Sequence, residues 1–83
     1  MTTRTITINS PLSGVFYRRP SPEEPILVEE GDKVTDGQVV CIVESMKIFN
    51  DIRVEQDGII KKIMLEDESP VMKDQVMFEI EIG

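Results

Sequence analysis

The chain contains no histidine, which removes the commonest general base and the commonest metal ligand. Its single cysteine, Cys41, cannot form an internal disulfide, and no Cys/His metal spacing exists. A cytoplasmic setting is therefore expected. No apolar run approaches the roughly 18 residues of a membrane-spanning helix, so no membrane partner is expected. Met1–Thr5 also lacks the apolar core of a secretory leader. Basic charge is scarce: 9 Lys and Arg face 16 Asp and Glu, a net charge of −7. Nucleic-acid binding rests on Lys and Arg neutralising phosphates, so this balance argues against a DNA or RNA partner. Nor does any segment hold a sustained helical period, and an all-β chain is expected.

What is present is ordinary for a globular protein, with 40% hydrophobic and 30% charged residues. The 83 residues are enough for one domain with a small core. Ile6 and Ile8 alternate with Thr5, Thr7 and Asn9, which reads as a first, edge strand. After the turn at Ser10-Pro11, Gly14–Arg18 reads as a second strand. Phe16 and Tyr17 alternate there, one toward the core and one away. Arg19–Pro25 then breaks the pattern, because three prolines in six positions cannot join a ladder interior. Ile26-Leu27-Val28 resumes the apolar pattern. Turns follow at Glu29–Asp32 and Asp36-Gly37, with Val34 an isolated inward residue between them.

Gln38–Val43 is a continuous apolar strand, and Ile48–Val54 alternates. Two strand patterns joined by a few residues read as a hairpin, with Lys47 at its tip. Cys41 lies within the first strand and reads as an inert core residue. Gln56-Asp57-Gly58 turns the chain, Ile59–Leu65 forms a further strand, and Glu66, Asp67 and Glu68 read as a solvated loop. Val71 stands alone as Val34 does, and Gln75–Ile82 is the last strand. Short strands with turns every eight to twelve residues suit a barrel or sandwich.

The chain also repeats itself. A shift of 37 sets Ile26 on Ile63, Glu29 on Glu66, Val34 on Val71, Gln38 on Gln75, Val39 on Val76 and Val43 on Ile80. Upstream, Gly14-Val15 matches Gly58-Ile59 at a shift of 44. The two shifts differ by seven, the length of Arg19–Pro25. Two similar halves are therefore expected, with one insertion in the first, each burying the face its partner cannot. The hairpin tip follows the end of the first half; its counterpart in the second half is the end of the sequence.

Lys47 sits at a turn tip, where a chain presents a group that another molecule can reach. An exposed hairpin lysine is commonly just a solvated side chain. A turn needed only for its shape, however, favours Asn-Gly, because a tight hairpin turn needs positive φ. Met46-Lys47 in its place points to a turn retained for its side chains. A lysine amine is mostly protonated at neutral pH, so a partner must supply the base that lets it react.

Glu44-Ser45-Met46-Lys47-Ile48 is similar to the pentad Glu-Ala-Met-Lys-Met of the biotinyl domains of biotin-dependent carboxylases, departing from it at Ser45 and Ile48. Ser10–Arg18 resembles the family segment leading into a so-called thumb, and Pro20-Ser21-Pro22-Glu23-Glu24-Pro25 resembles the thumb. Gly31-Asp32-Lys33-Val34 also matches. The resemblance covers residues from about 9 to 82 and is strongest with the carriers of acetyl-CoA carboxylase. It implies a flattened barrel, or hammerhead, of two four-stranded antiparallel sheets with quasi-twofold symmetry. Residues 9–83 would form the biotinyl domain with its thumb-like loop at 19–25, and residues 1–8 an extension or first edge strand. Lys47 would carry covalent biotin, attached by biotin protein ligase from biotinyl-adenylate. Glu44, Ser45, Met46 and Ile48 would frame it for the ligase, and the thumb would touch the ureido ring. The implied role is non-catalytic: a swinging arm carrying a carboxyl group from a biotin carboxylase to a carboxyltransferase. A lipoyl carrier domain shares the fold and an equivalent lysine. An unmodified β-barrel interaction module is the third alternative.

Overall fold

The computed structural model describes residues 3–83. Eight strands follow in order: β1 (Arg4–Asn9), β2 (Gly14–Tyr17), β3 (Lys33–Val34), β4 (Val39–Ser45), β5 (Ile48–Arg53), β6 (Gly58–Ile63), β7 (Ser69–Val71) and β8 (Val76–Ile82). They form two four-stranded sheets, in the orders β1-β8-β6-β3 and β5-β4-β2-β7, with every pairing antiparallel. The sheets remain separate, so the body is a flattened sandwich and not a closed barrel; its extents are 43 × 27 × 20 Å. No helix among the described residues is long and apolar enough to cross a membrane.

The expected repeat is realised in the topology. Exchanging each of β1–β4 with β5–β8 in turn converts the order of the first sheet into that of the second. The shifts of 37 and 44 recur in the hydrogen bonds as well. The Gly37 amide donates to the Val54 carbonyl at 2.8 Å, and the Asp74 amide donates to Ser10 at 2.7 Å. Gly31 donates to Ile60 and Glu68 to Phe16, both at 2.7 Å. Gly31 and Gly37 take φ of 95° and 90°; their counterparts Glu68 and Asp74 take 66° and 71° without being glycine. Each half thus uses the same left-handed turns, and only the first uses the residue that adopts them freely.

Burial follows strand position. The central strands β4 and β8 are buried along most of their length, whereas edge strand β1 alternates exposed and half-buried residues. Inward residues of both sheets meet in one cluster that includes Phe16, Val40, Cys41, Val43, Ile60, Met77, Phe78 and Ile80. The Phe16 and Phe78 rings cross at 55° with centroids 5.8 Å apart, within the range of favourable aromatic pairs. Val34 and Val71, the isolated apolar residues, are each buried by a very short edge strand. Burial pushes the Cys41 thiol up to about 12. Ile26–Val28, where the apolar pattern resumes, is not a strand: Val28 joins the core, while Ile26 is exposed. The returning end of the Arg19–Pro25 insertion occupies this stretch, so it lies outside both ladders.

Candidate functional site

The hairpin between β4 and β5 closes with Ser45 paired to Ile48, leaving Met46 and Lys47 as a two-residue loop. Their φ angles are 54° and 66°. Two consecutive left-handed residues match the twist of the flanking strands and define a tight hairpin turn. They also drive both side chains away from the body. Met46 is 92% exposed and Ile48 is 63% exposed. Lys47 is exposed too, and among the described residues its ammonium has no hydrogen-bond or ion-pair partner. Neither Met46 nor Ile48 folds back onto the sandwich. The hairpin beneath is braced by Asn50, whose side-chain amide donates to the carbonyls of Val43 at 3.1 Å and Ile48 at 3.3 Å.

One step down from the tip, Glu44 pairs with Phe49 across the hairpin and with Val15 on the other side. The Tyr17 hydroxyl donates to Glu44 Oε1 at 3.1 Å, and the Tyr17 and Phe49 rings lie 6.2 Å apart at 49°. The Glu44 carboxylate accepting that proton raises the Tyr17 phenol above its ordinary value; slight desolvation and the nearby charges of Glu44, Glu68 and Asp67 push the same way. Phe16 is the core member of the alternating pair and Tyr17 the outer one.

The Arg19–Pro25 loop leans over this outer face. A groove of about 420 Å³ lies between them, lined by Tyr17, Phe49, Arg19, Pro20, Ser21, Pro22, Asp67 and Glu68. Of the thumb residues singled out in the sequence, Pro20, Ser21 and Pro22 line the groove, whereas Glu23 and Glu24 are exposed and do not. Phe49 sits two residues along β5 from Lys47, roughly 7 Å of extended chain, so the groove opens beside the tip.

Three participants were not anticipated. Phe49 is 59% exposed; an aromatic two positions beyond the tip was the available signal. Arg19 reads only as part of a proline-rich breaker. Asp67 reads as part of a solvated acidic loop, yet it accepts from the Arg18 amide at 2.8 Å and pairs with Arg19 at 3.4 Å. Its partners lie 49 residues away or nearly so, and no local pattern announces them. Glu66 and Glu68 are exposed, as expected. No group of three or more His, Cys, Asp or Glu among the described residues could hold a metal.

Comparison with known proteins points to one family. The family model described as "Biotin-requiring enzyme" matches residues 6–80. The chain is 48% identical over 73 residues to the chloroplastic biotin carboxyl carrier protein of acetyl-CoA carboxylase 2 of Arabidopsis thaliana, covering 88% of this chain and 29% of that protein. It is 49% identical over 74 residues to the chloroplastic carrier protein of Glycine max, covering 89% and 28%. The carrier protein of acetyl-CoA carboxylase from Pseudomonas aeruginosa is 44% identical over 73 residues, with coverage of 88% and 47%. This chain therefore spans less than half the length of these relatives. Among solved structures, the urea carboxylase of Kluyveromyces lactis superposes with a TM-score of 0.77 at 23% identity, over 93% of this chain and 6% of that one; this is a likeness of fold. With a family match across nearly the whole sandwich, the chain belongs to the biotin-requiring family.

Proposed function

We propose that Lys47 is a biotin attachment site and that residues 9–83 act as a carrier domain of a biotin-dependent carboxylase of the acetyl-CoA carboxylase kind. The observation that carries this reading is the solvated amine at the apex of a two-residue left-handed turn, flanked by exposed Met46 and Ile48. The residues suit the group. The amine is unobstructed, and the groove beside it offers aromatic and proline surfaces to a small heterocycle.

Attachment is an acyl transfer. The deprotonated Lys47 amine attacks the carboxyl carbon of biotinyl-adenylate, an amide forms, AMP leaves and the amine's proton passes to a base of the ligase. The chain needs no base of its own, consistent with the absence of histidine. The amide is uncharged, so modification removes one positive charge from the tip. Bound biotin supplies a ring nitrogen that accepts a carboxylate in one active site and yields it in another. The chain supplies the rest. β4 and β5 hold the tip clear of the body, Asn50 keeps the hairpin closed, and Met46 and Ile48 present an apolar collar that a ligase can recognise. Tethering gives the carried group a high effective concentration at each active site without tight binding. The carrier role is non-catalytic, with biotin protein ligase, a biotin carboxylase and a carboxyltransferase as partners.

The test is intact-mass analysis after expression with biotin protein ligase and biotin. One biotinyl group is expected, absent in Lys47→Ala and in Lys47→Arg, with both variants folded because the tip is solvated. A lipoyl group added instead, or an unmodified chain under a competent ligase, refutes the assignment.

A further inference from the structure

The loop over the groove is closed at its neck. The Leu27 amide donates to the Arg18 carbonyl at 2.8 Å, and the Arg18 guanidinium donates to the Val28 carbonyl at 3.1 Å. Those bonds close the loop on itself but do not set its attitude to the sheet. The bonds that do come from the loop before β7. One Asp67 oxygen accepts from the Arg18 amide at 2.8 Å, and the other lies 3.4 Å from Arg19 Nε. The next residue, Glu68, takes a left-handed φ of 66° and donates its amide to the Phe16 carbonyl, which fixes where the Asp67 side chain starts. In the other half of the molecule, Glu30 is the counterpart of Asp67, and its carboxylate accepts from the Ile63 amide at 3.0 Å. A carboxylate thus closes the end of β2 in one half and of β6 in the other. Only at Asp67 does it also hold a guanidinium on an inserted loop.

We infer that Asp67 is the positioning residue of the Arg19–Pro25 loop: its carboxylate fastens the loop's root to the β6–β7 connection and so sets the width of the groove facing Tyr17 and Phe49. Freed of Asp67, the loop keeps its neck but swings on it. Glu68 and Arg19 line the same groove, so a shift of the root changes both its shape and its charge.

The inference rests on the carrier reading only where biotin is used as a probe, and its first test needs no biotin. The chain has three phenylalanines. Phe49 borders the groove, while Phe16 and Phe78 are buried. Fluorophenylalanine labelling therefore gives one reporter at the groove and two in the core. In the unmodified protein, Asp67→Ala is expected to move and sharpen the Phe49 signal while leaving Phe78 in place. It should also speed hydrogen exchange of the Arg18 amide about tenfold, the lower end for losing a hydrogen bond to a charged acceptor that is partly exposed. Asp67→Asn keeps an acceptor for the Arg18 amide and loses the ion pair, so the exchange rate should largely recover. Attaching biotin to Lys47 should then shift Phe49 more in the parent than in Asp67→Ala. Unchanged Arg18 exchange with an unmoved Phe49 signal in Asp67→Ala overturns the proposal, whereas failure of the ligase to modify Lys47 overturns only the carrier reading. Should Asp67→Ala unfold, Asp67→Ser replaces it, since its hydroxyl is too short to reach both partners; the same expectations and the same refutation apply.

Discussion

Replacing Met46 and Lys47 together by Asn and Gly should make the protein more stable while abolishing attachment. Both residues hold left-handed φ angles, a conformation costing a non-glycine residue about 1–2 kcal/mol. Asn tolerates it and Gly adopts it freely. Little packing is lost in exchange, because Met46 and Lys47 both project into solvent. Against the relief of roughly 2–3 kcal/mol stands the greater freedom of glycine in the unfolded chain, about 0.5–1 kcal/mol. The net gain is on the order of 1–2 kcal/mol, and a domain of this size gains roughly 4–8 °C in Tm for each kcal/mol. Urea denaturation measures the free energy directly, and an unchanged slope would assign the gain to the folded hairpin. A parallel incubation with ligase and biotin should leave the variant unmodified. A variant less stable than the parent would refute the reasoning, since it would mean that these side chains pack against something. Turns that carry a functional side chain commonly give up stability in this way.

Three further outcomes follow from the packing. A Cβ built on Gly14 falls on the backbone carbonyl of Glu44, so Gly14→Ala should destabilise by an amount at or above the upper end of about 1–3 kcal/mol, read from chemical denaturation. The single tyrosine, Tyr17, should titrate above the ordinary value of about 10 when followed by phenolate absorbance, and Glu44→Gln should lower it, because the carboxylate accepting its proton is the main cause. The folded state then holds that proton more tightly than the unfolded chain; the associated stability is complete below the ordinary value and disappears as pH rises through the folded one. Cys41, fully buried with its thiol pushed up to about 12, should react with disulfide reagents only as fast as the sandwich opens; rapid labelling of the native protein would contradict its place in the core.

Much of this fold is local in its causes and therefore legible in the chain. Alternation marks the strands, Gly and Pro mark their ends, and a periodic match separated by seven inserted residues discloses the two halves. Burial of Val34 and Val71 follows from that repeat. The Met46-Lys47 tip is legible for the same reason, since a two-residue hairpin depends only on its own strands. Ile26–Val28 shows the limit. Its composition suits a strand, but the preceding insertion places it outside the ladder.

The groove is another matter. Tyr17, Phe49 and Asp67 meet only because β2 and β5 flank β4 on either side and β7 closes the other edge of β2. Hydrophobic periodicity specifies which face of a strand is buried; it carries no record of which strands become neighbours or which outward residues they align. The placing of the Lys47 amine at a hairpin tip was thus determined by the sequence alone. Its setting, an aromatic pair under a loop fastened by a distant carboxylate, was decided by tertiary pairing, because hydrogen bonds and ion pairs form between residues close in space irrespective of their separation along the chain.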